Sequence, residues 1–197
     1  MESQLRLVTR RLMIDKLSST SSRDLILVDD YDNQIGLGSK SDCHLGKGLL
    51  HRAFSVFIIN RKKEIFIQKR SKKKMLWPNY WSNSCCSHPY AGENIEDSAS
   101  RRVFEELGIT CQLNFLYKFK YYAPYNEIGS ENEYCYVFYG IYDGEFKINK
   151  EEISDYKYIN LESLSIKIKN KPEIFTPWCR MEVDHILENY SDIIINQ

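Results

Sequence analysis

Net charge is missing from this chain. Its 27 Lys and Arg residues are cancelled by 27 Asp and Glu, so nothing at that level indicates a nucleic-acid or membrane-surface binder. Any anionic ligand must be recognised locally. Long apolar runs are missing too: none approaches the roughly 20 residues that cross a bilayer, and the amino terminus lacks the apolar core of a secretory signal. The expectation is a soluble cytoplasmic protein with no membrane and no nucleic-acid partner. Cysteine is sparse. Six in 197 residues fall below the density of a disulfide-built mini-protein, and the adjacent Cys85-Cys86 pair is poorly placed for an intrachain bridge. Reduced thiols are expected, with Cys43, Cys111, Cys135 and Cys179 acting as small buried hydrophobes.

What remains is enough for one domain with a substantial core and too little for two ordinary ones. Residues 1–22 carry Arg6, Arg10, Arg11 and Lys16, then the polar run Ser18 to Ser22. That composition suits either a targeting arm or a flexible or weakly helical extension. Glu2 and Asp15 weigh against the arm, so an extension is expected, followed by a single domain over 23–197. From Asp24 the pattern is mixed. Strands are expected at Leu25 to Val28, Gln34 to Gly36, Ala53 to Asn60 and Glu64 to Lys69, the last running into the basic loop Lys72-Lys73-Lys74. Ile95, Ala99, Val103, Phe104 and Leu107 recur at helical spacing between Asn94, a candidate N-cap, and Gly108. Strands return at Phe115 to Tyr122, Tyr134 to Tyr142 and Tyr156 to Asn160. The tail reads as helix at Leu161 to Lys169 and from Trp178 to Tyr190.

On the 95–107 helix, Arg101, Arg102, Glu105 and Glu106 crowd the polar side. Such clustered carboxylates are either a solvated face with Glu/Arg pairs or ligands for Mg²⁺, which favours oxygen and binds together with substrate phosphates. The stretch resembles the Nudix motif G-x5-E-x7-R-E-U-x-E-E-x-G-U, where U is aliphatic. Glu93, Arg101, Val103, Glu105, Glu106, Gly108 and Ile109 fall at matching positions, while Ser87 replaces the first glycine and Arg102 replaces a glutamate. Losing that glutamate removes a metal-binding carboxylate and makes phosphoanhydride hydrolysis doubtful while still implying the fold.

His44, His51 and His88, with Glu131 and Glu133 on alternate residues of an extended segment, suit a divalent transition metal or Zn²⁺. Spacing alone signals this only weakly. Taken together, Cys43-His44, the run Gly48 to Ser55, Trp77-Pro78, the run Asn83 to Pro89, Glu131-Asn132-Glu133 and Thr176-Pro177-Trp178 resemble the type I isopentenyl-diphosphate isomerase family, in collinear order from about Asp24 to Tyr190.

The resemblance implies an α+β fold, an α/β/α sandwich-like Nudix arrangement of mixed β-sheets, a Nudix helix and C-terminal helices. It implies an isomerase of isoprenoid biosynthesis that interconverts isopentenyl and dimethylallyl diphosphate by adding and removing protons. Cys86 and Glu133 would be its acid/base pair, with Tyr121 bonded to Glu133 and Trp178 stabilising cationic character. Lys40, Arg70, Lys74, Ser87 and Arg102 would hold the diphosphate, with Mg²⁺ bridged by Glu106. A second divalent ion (Zn²⁺, Mn²⁺ or Mg²⁺) would sit among His44, His51, His88, Glu131 and Glu133. The partner would be this small molecule, and the protein a monomer or weak dimer. Two other readings compete: a Nudix pyrophosphohydrolase and a non-catalytic metal-binding module.

Overall fold

The computed structural model describes residues 23–195; the expected amino-terminal extension lies outside them. Nine strands hydrogen-bond into one mixed sheet: β1 (Leu25–Val28), β2 (Gln34–Gly38), β3 (His51–Ile59), β4 (Glu64–Arg70), β5 (Trp81–Ser82), β6 (Cys85–Ser87), β7 (Leu113–Tyr125), β8 (Gly129–Ile141) and β9 (Ile153–Asn160). The helices are α1 (Lys40–His44), α2 (Ile95–Leu107), α3 (Leu161–Asn170), α4 (Pro177–Asn189) and α5 (Ser191–Ile195). Among the described residues no helix is long and apolar enough to cross a membrane.

The organising element is β3, whose sequence HRAFSVFII is apolar on both faces. Side chains alternate along a strand, so Ala53, Phe57 and Ile59 point into one core with α3 and α4, while Phe54, Val56 and Ile58 point into another with α2. Such a strand needs cover on both sides, as in sheets with parallel neighbours. It has one: β8 runs parallel to β3 from His51↔Glu133 to Ile59↔Ile141. On its other side β3 bonds to β4 only at Ile58 and Ile59, and β6 pairs with Phe54 to Val56. Nearer its amino terminus β3 pairs with β1 at His51, and a cavity lies at that end.

Helix α2 forms where its capping residues predict. Asn94 accepts from the backbone N–H groups of Glu96 and Asp97, and Gly108 ends the helix at φ 68°, a left-handed conformation that glycine adopts without strain. Two residues on it depart from expectation. Phe104 is exposed and Glu106 is buried, because each residue turns about 100° from its neighbour. The stripe facing the sheet is Ala99, Val103, Glu106 and Leu107 with Ser98, so Phe104 falls outside it. Cys111 is only partly buried, unlike Cys43, Cys135 and Cys179, because it packs at the margin of the α2 core. Four short elements named above were not expected: α1, β5, β6 and α5.

Inside the other core lies Glu182 of α4, with no exposed surface. Its Oε1 accepts a weak bond from the Cys135 thiol at 3.9 Å, and its Oε2 has no partner. Burial pushes this carboxyl up from 4.5 to about 8. In the unfolded chain it ionises near its ordinary value, so the unfolded state holds fewer protons between those limits and stability falls as pH rises through them. The slope from one group is about 1.4 kcal/mol per pH unit. Urea denaturation of the parent and of Glu182→Gln, which cannot ionise, should therefore show the variant gaining relative stability by about that amount per unit from pH 5 to 7.5. Parallel pH profiles would contradict this account.

Candidate active site

Three imidazoles and two carboxylates meet at the open end of β3. His44 ends α1, His51 begins β3, His88 follows β6, and Glu131 and Glu133 lie on β8. Their candidate ligand atoms all lie within 4.8 Å of one another, and all five residues are buried. The backbone produces this convergence. The parallel register sets His51 directly beside Glu133, and the two-residue period of β8 turns Glu131 the same way. Between His44 and His51 the chain turns through Gly48 at φ 60°, where a Cβ would meet the Cys43 carbonyl oxygen at 2.5 Å. Only glycine fits that approach.

The hydrogen bonds show what this group wants. His44 Nδ1 lies 2.7 Å from the Lys40 carbonyl oxygen and His51 Nδ1 lies 2.7 Å from that of Leu49. A carbonyl only accepts, so each Nδ1 carries the proton and each neutral ring presents a bare Nε2. Those nitrogens face carboxylates: His44 Nε2 is 3.1 Å from Glu131, and His88 and His51 Nε2 are 3.0 and 3.8 Å from Glu133. Burial, then neighbouring imidazoles, lowers His51 to about 4 and His88 well below its usual value. His51 and His88 are thus poor proton carriers. His51 Nε2 and Glu131 Oε2 lack any hydrogen-bond partner. Three imidazoles and two carboxylates aimed at one point in a buried site fit a divalent cation, with backbone carbonyls orienting His44 and His51 from behind.

One cavity joins this cluster to most of the residues expected in the site. Lys40, Arg70, Lys74, Cys86, Ser87, Arg102, Tyr121 and Trp178 all line it, together with His44, His88, Glu131 and Glu133. His51 completes the metal-ligand group from within the protein, and Glu106 lies behind Arg102, outside the lining. The side chains of the cysteine pair divide as an extended strand requires. Cys85 packs into the α2 core and Cys86 faces the cavity, where burial pushes its thiol up to about 12 against the opposing effect of Arg70. Of the two adjacent tyrosines, Tyr121 points inward and donates to Glu133 Oε2 at 2.6 Å, while Tyr122 is exposed. Burial, then the charge of Glu131, raises Glu133 well above its usual value.

The cations behave differently from one another. Arg70 is turned inward: Nε and Nη2 donate to the carbonyls of Trp77 and Leu76, Nη1 lies 3.6 Å from Cys86 Sγ, and the guanidinium stands 5.1 Å over Trp178. Lys73 pairs with Glu151 on the surface, whereas Lys74 pairs with Glu152. Arg102 bonds Glu105, Glu106 and Glu152. Glu93 holds Arg101 at 2.8 Å and accepts from the Tyr90 backbone and the Ser98 hydroxyl, which closes the approach to α2. Sequence reasoning missed Glu152, Asn83, Met75 and Leu76. Asn83 accepts from the Trp178 indole at 3.2 Å and donates to the Cys85 carbonyl at 2.8 Å. It lies inside the recognised Asn83 to Pro89 run, whereas nothing in the sequence distinguishes Glu152 from its neighbour Glu151.

Purified protein should carry one divalent ion per chain by elemental mass spectrometry. An ion at a thousandfold excess over its Kd contributes about 4 kcal/mol, so supplying it to stripped protein should raise the melting temperature by on the order of 10 °C. His51→Ala should abolish that rise, and an undiminished rise in the variant would count against the cluster as its seat.

The NUDIX domain family matches residues 49–179. An isopentenyl-diphosphate Delta-isomerase 1 of Photorhabdus laumondii is 45% identical over 171 residues, covering 86% of this chain and 97% of that protein. The isopentenyl-diphosphate delta-isomerase of Schizosaccharomyces pombe is 34% identical, with 82% and 80% covered. Among solved structures, DR0079 from Deinococcus radiodurans superposes with a TM-score of 0.69 at 20% identity, covering 83% of this chain and 98% of that one. A MutT protein from Methanosarcina mazei gives 0.59 at 20% identity, with 72% and 96% covered. The structural likenesses establish the Nudix fold, and the sequence relatives establish something narrower: the chain belongs to the isopentenyl-diphosphate Delta-isomerase family of Nudix domain proteins.

Proposed function

We propose that this protein interconverts isopentenyl and dimethylallyl diphosphate, with Cys86 and Glu133 exchanging protons with the five-carbon chain. The observation that carries the reading is one cavity lined by a thiol, a carboxyl and an indole together with Lys40, Lys74, Ser87 and Arg102. Moving the double bond adds a proton to the terminal alkene carbon and removes one from the allylic carbon, so an acid and a base must reach the same substrate. Cys86, with its thiol pushed up to about 12, enters as the protonated group. Tyr121 orients Glu133 by its 2.6 Å hydrogen bond, and burial holds the phenol well above its usual value, so it remains a donor.

Alkenes are weak bases, and protonation develops tertiary cationic character that water would quench. Trp178, 2% exposed, offers a π-face worth up to about 2 kcal/mol when desolvated. Arg70 stands over the same ring and lines the cavity beside it. A divalent ion (Zn²⁺, Mn²⁺ or Mg²⁺) held at the His/Glu cluster would lower the proton affinity of Glu133, so that its carboxylate takes the allylic proton while Cys86 Sγ gives the terminal one. Lys40, Arg70, Lys74, Ser87 and Arg102 hold the diphosphate, and Glu106 supplies a carboxylate for its Mg²⁺. Arg102 where the Nudix motif has glutamate favours gripping this group over cleaving it.

Incubation with isopentenyl diphosphate and Mg²⁺ in deuterated water should give dimethylallyl diphosphate carrying deuterium. Release of phosphate without allylic product would instead mark a hydrolase. Cys86→Ala and Glu133→Gln should each lower turnover by roughly three orders of magnitude or more, since a positioned acid or base contributes about 10²–10⁴-fold. Circular dichroism should remain unchanged, and retained turnover in both variants would refute the assigned roles.

A further inference from the structure

Glu152, in the turn before β9, touches two of the cations that line the cavity. Its Oε1 lies 3.1 Å from Arg102 Nη2, and its Oε2 pairs with Lys74 Nζ. The same Arg102 nitrogen bonds Glu106 Oε1, so carboxylate oxygens from two separate elements converge on one atom. The arrangement is fixed by backbone: the Glu152 carbonyl accepts from the Ser71 N–H at 2.9 Å, and its own N–H donates to the Asn149 carbonyl at 3.1 Å. Glu152 is thereby tied to the start of the loop that carries Lys74. Glu106 is buried and Glu152 only 23% exposed, so neither charge is well screened by water. Glu105, which also touches Arg102, is 41% exposed and is screened.

A diphosphate arriving alone brings several negative charges to a place where Lys74 and Arg102 are already neutralised. It must draw them away while remaining close to two carboxylates that repel it. A diphosphate arriving with Mg²⁺ meets different conditions. The ion prefers oxygen and is held by one or two carboxylates plus substrate phosphates, so Glu106 and Glu152 can transfer from the cations to the metal as Lys74 and Arg102 transfer to phosphate oxygens. All four protein charges keep an opposite partner throughout.

Building on the proposed diphosphate site, we infer that Glu152 is a specificity residue of it, and that with Glu106 it makes capture of a diphosphate conditional on a divalent cation. Metal and diphosphate then favour each other's binding reciprocally.

The test is calorimetric titration of the full chain, its histidine-site metal retained, with inorganic diphosphate in magnesium-free buffer and at saturating Mg²⁺. The parent should bind at least about tenfold more tightly with Mg²⁺, within the usual range of such couplings. Glu152→Gln should tighten magnesium-free binding and shrink the ratio below about threefold, while Glu152→Asp and Glu105→Gln keep it. An unchanged ratio in Glu152→Gln overturns the inference. So does an equal fall in both affinities, which would make Glu152 a mere support for Lys74 and Arg102, or an equal shrinkage in Glu105→Gln. If the parent binds no diphosphate in either buffer, the proposed function falls as well, an outcome distinct from the other three.

Discussion

Three imidazoles and two carboxylates, all buried, are turned toward one point, and much of the structure serves to hold them there. Two backbone carbonyls take the Nδ1 protons of His44 and His51, which leaves bare nitrogens facing carboxylate oxygens. A divalent cation would give these groups a common electrostatic partner, because burial opposes protonation of His51 and His88. The parallel β3–β8 register, the glycine turn after α1 and the placement of His88 just beyond β6 each contribute one side of that convergence.

Around this centre the same few strands distribute other side chains by parity. On β6 consecutive cysteines face opposite cores, and on β7 consecutive tyrosines face the cavity and the solvent. Asn83 then joins two walls by accepting from Trp178 and donating to the Cys85 carbonyl. Arg70 joins two more, fastening the carbonyls of the 76–77 segment beneath Trp178. These buried polar contacts have satisfied partners, and that condition lets a polar network sit within a core.

Much of this was legible in the sequence. The caps of α2, the alternation of Glu131 and Glu133, and the different facing of Cys85 and Cys86 follow from local periodicity, which the chain displays directly. What was not legible depends on contacts between distant segments. Phe104 looked like part of the apolar stripe and Glu106 like part of the polar face, because periodicity does not fix where the stripe's edge falls once the sheet is in place. Glu152 could not be told from Glu151, since what distinguishes them is Ser71 bonding to the Glu152 carbonyl. Spacing suggested the histidine cluster only faintly, as His44, His51 and His88 are brought together by two turns and a strand pairing rather than by one motif. Six collinear segments read together carried it.

The order in which the cavity's parts occur along the chain has a consequence for its biosynthesis. The His/Glu cluster is complete once Glu133 has been made, the cation and carboxylate group once Glu152 has been made, and the aromatic wall only with Trp178 on α4. A single domain generally folds as a unit, and α4 shares a core with β3. Every member of the His/Glu cluster is therefore present in the nascent chain well before the helix that completes the core around it. Premature termination between those points would remove α4 from that core and leave the cavity without its aromatic wall.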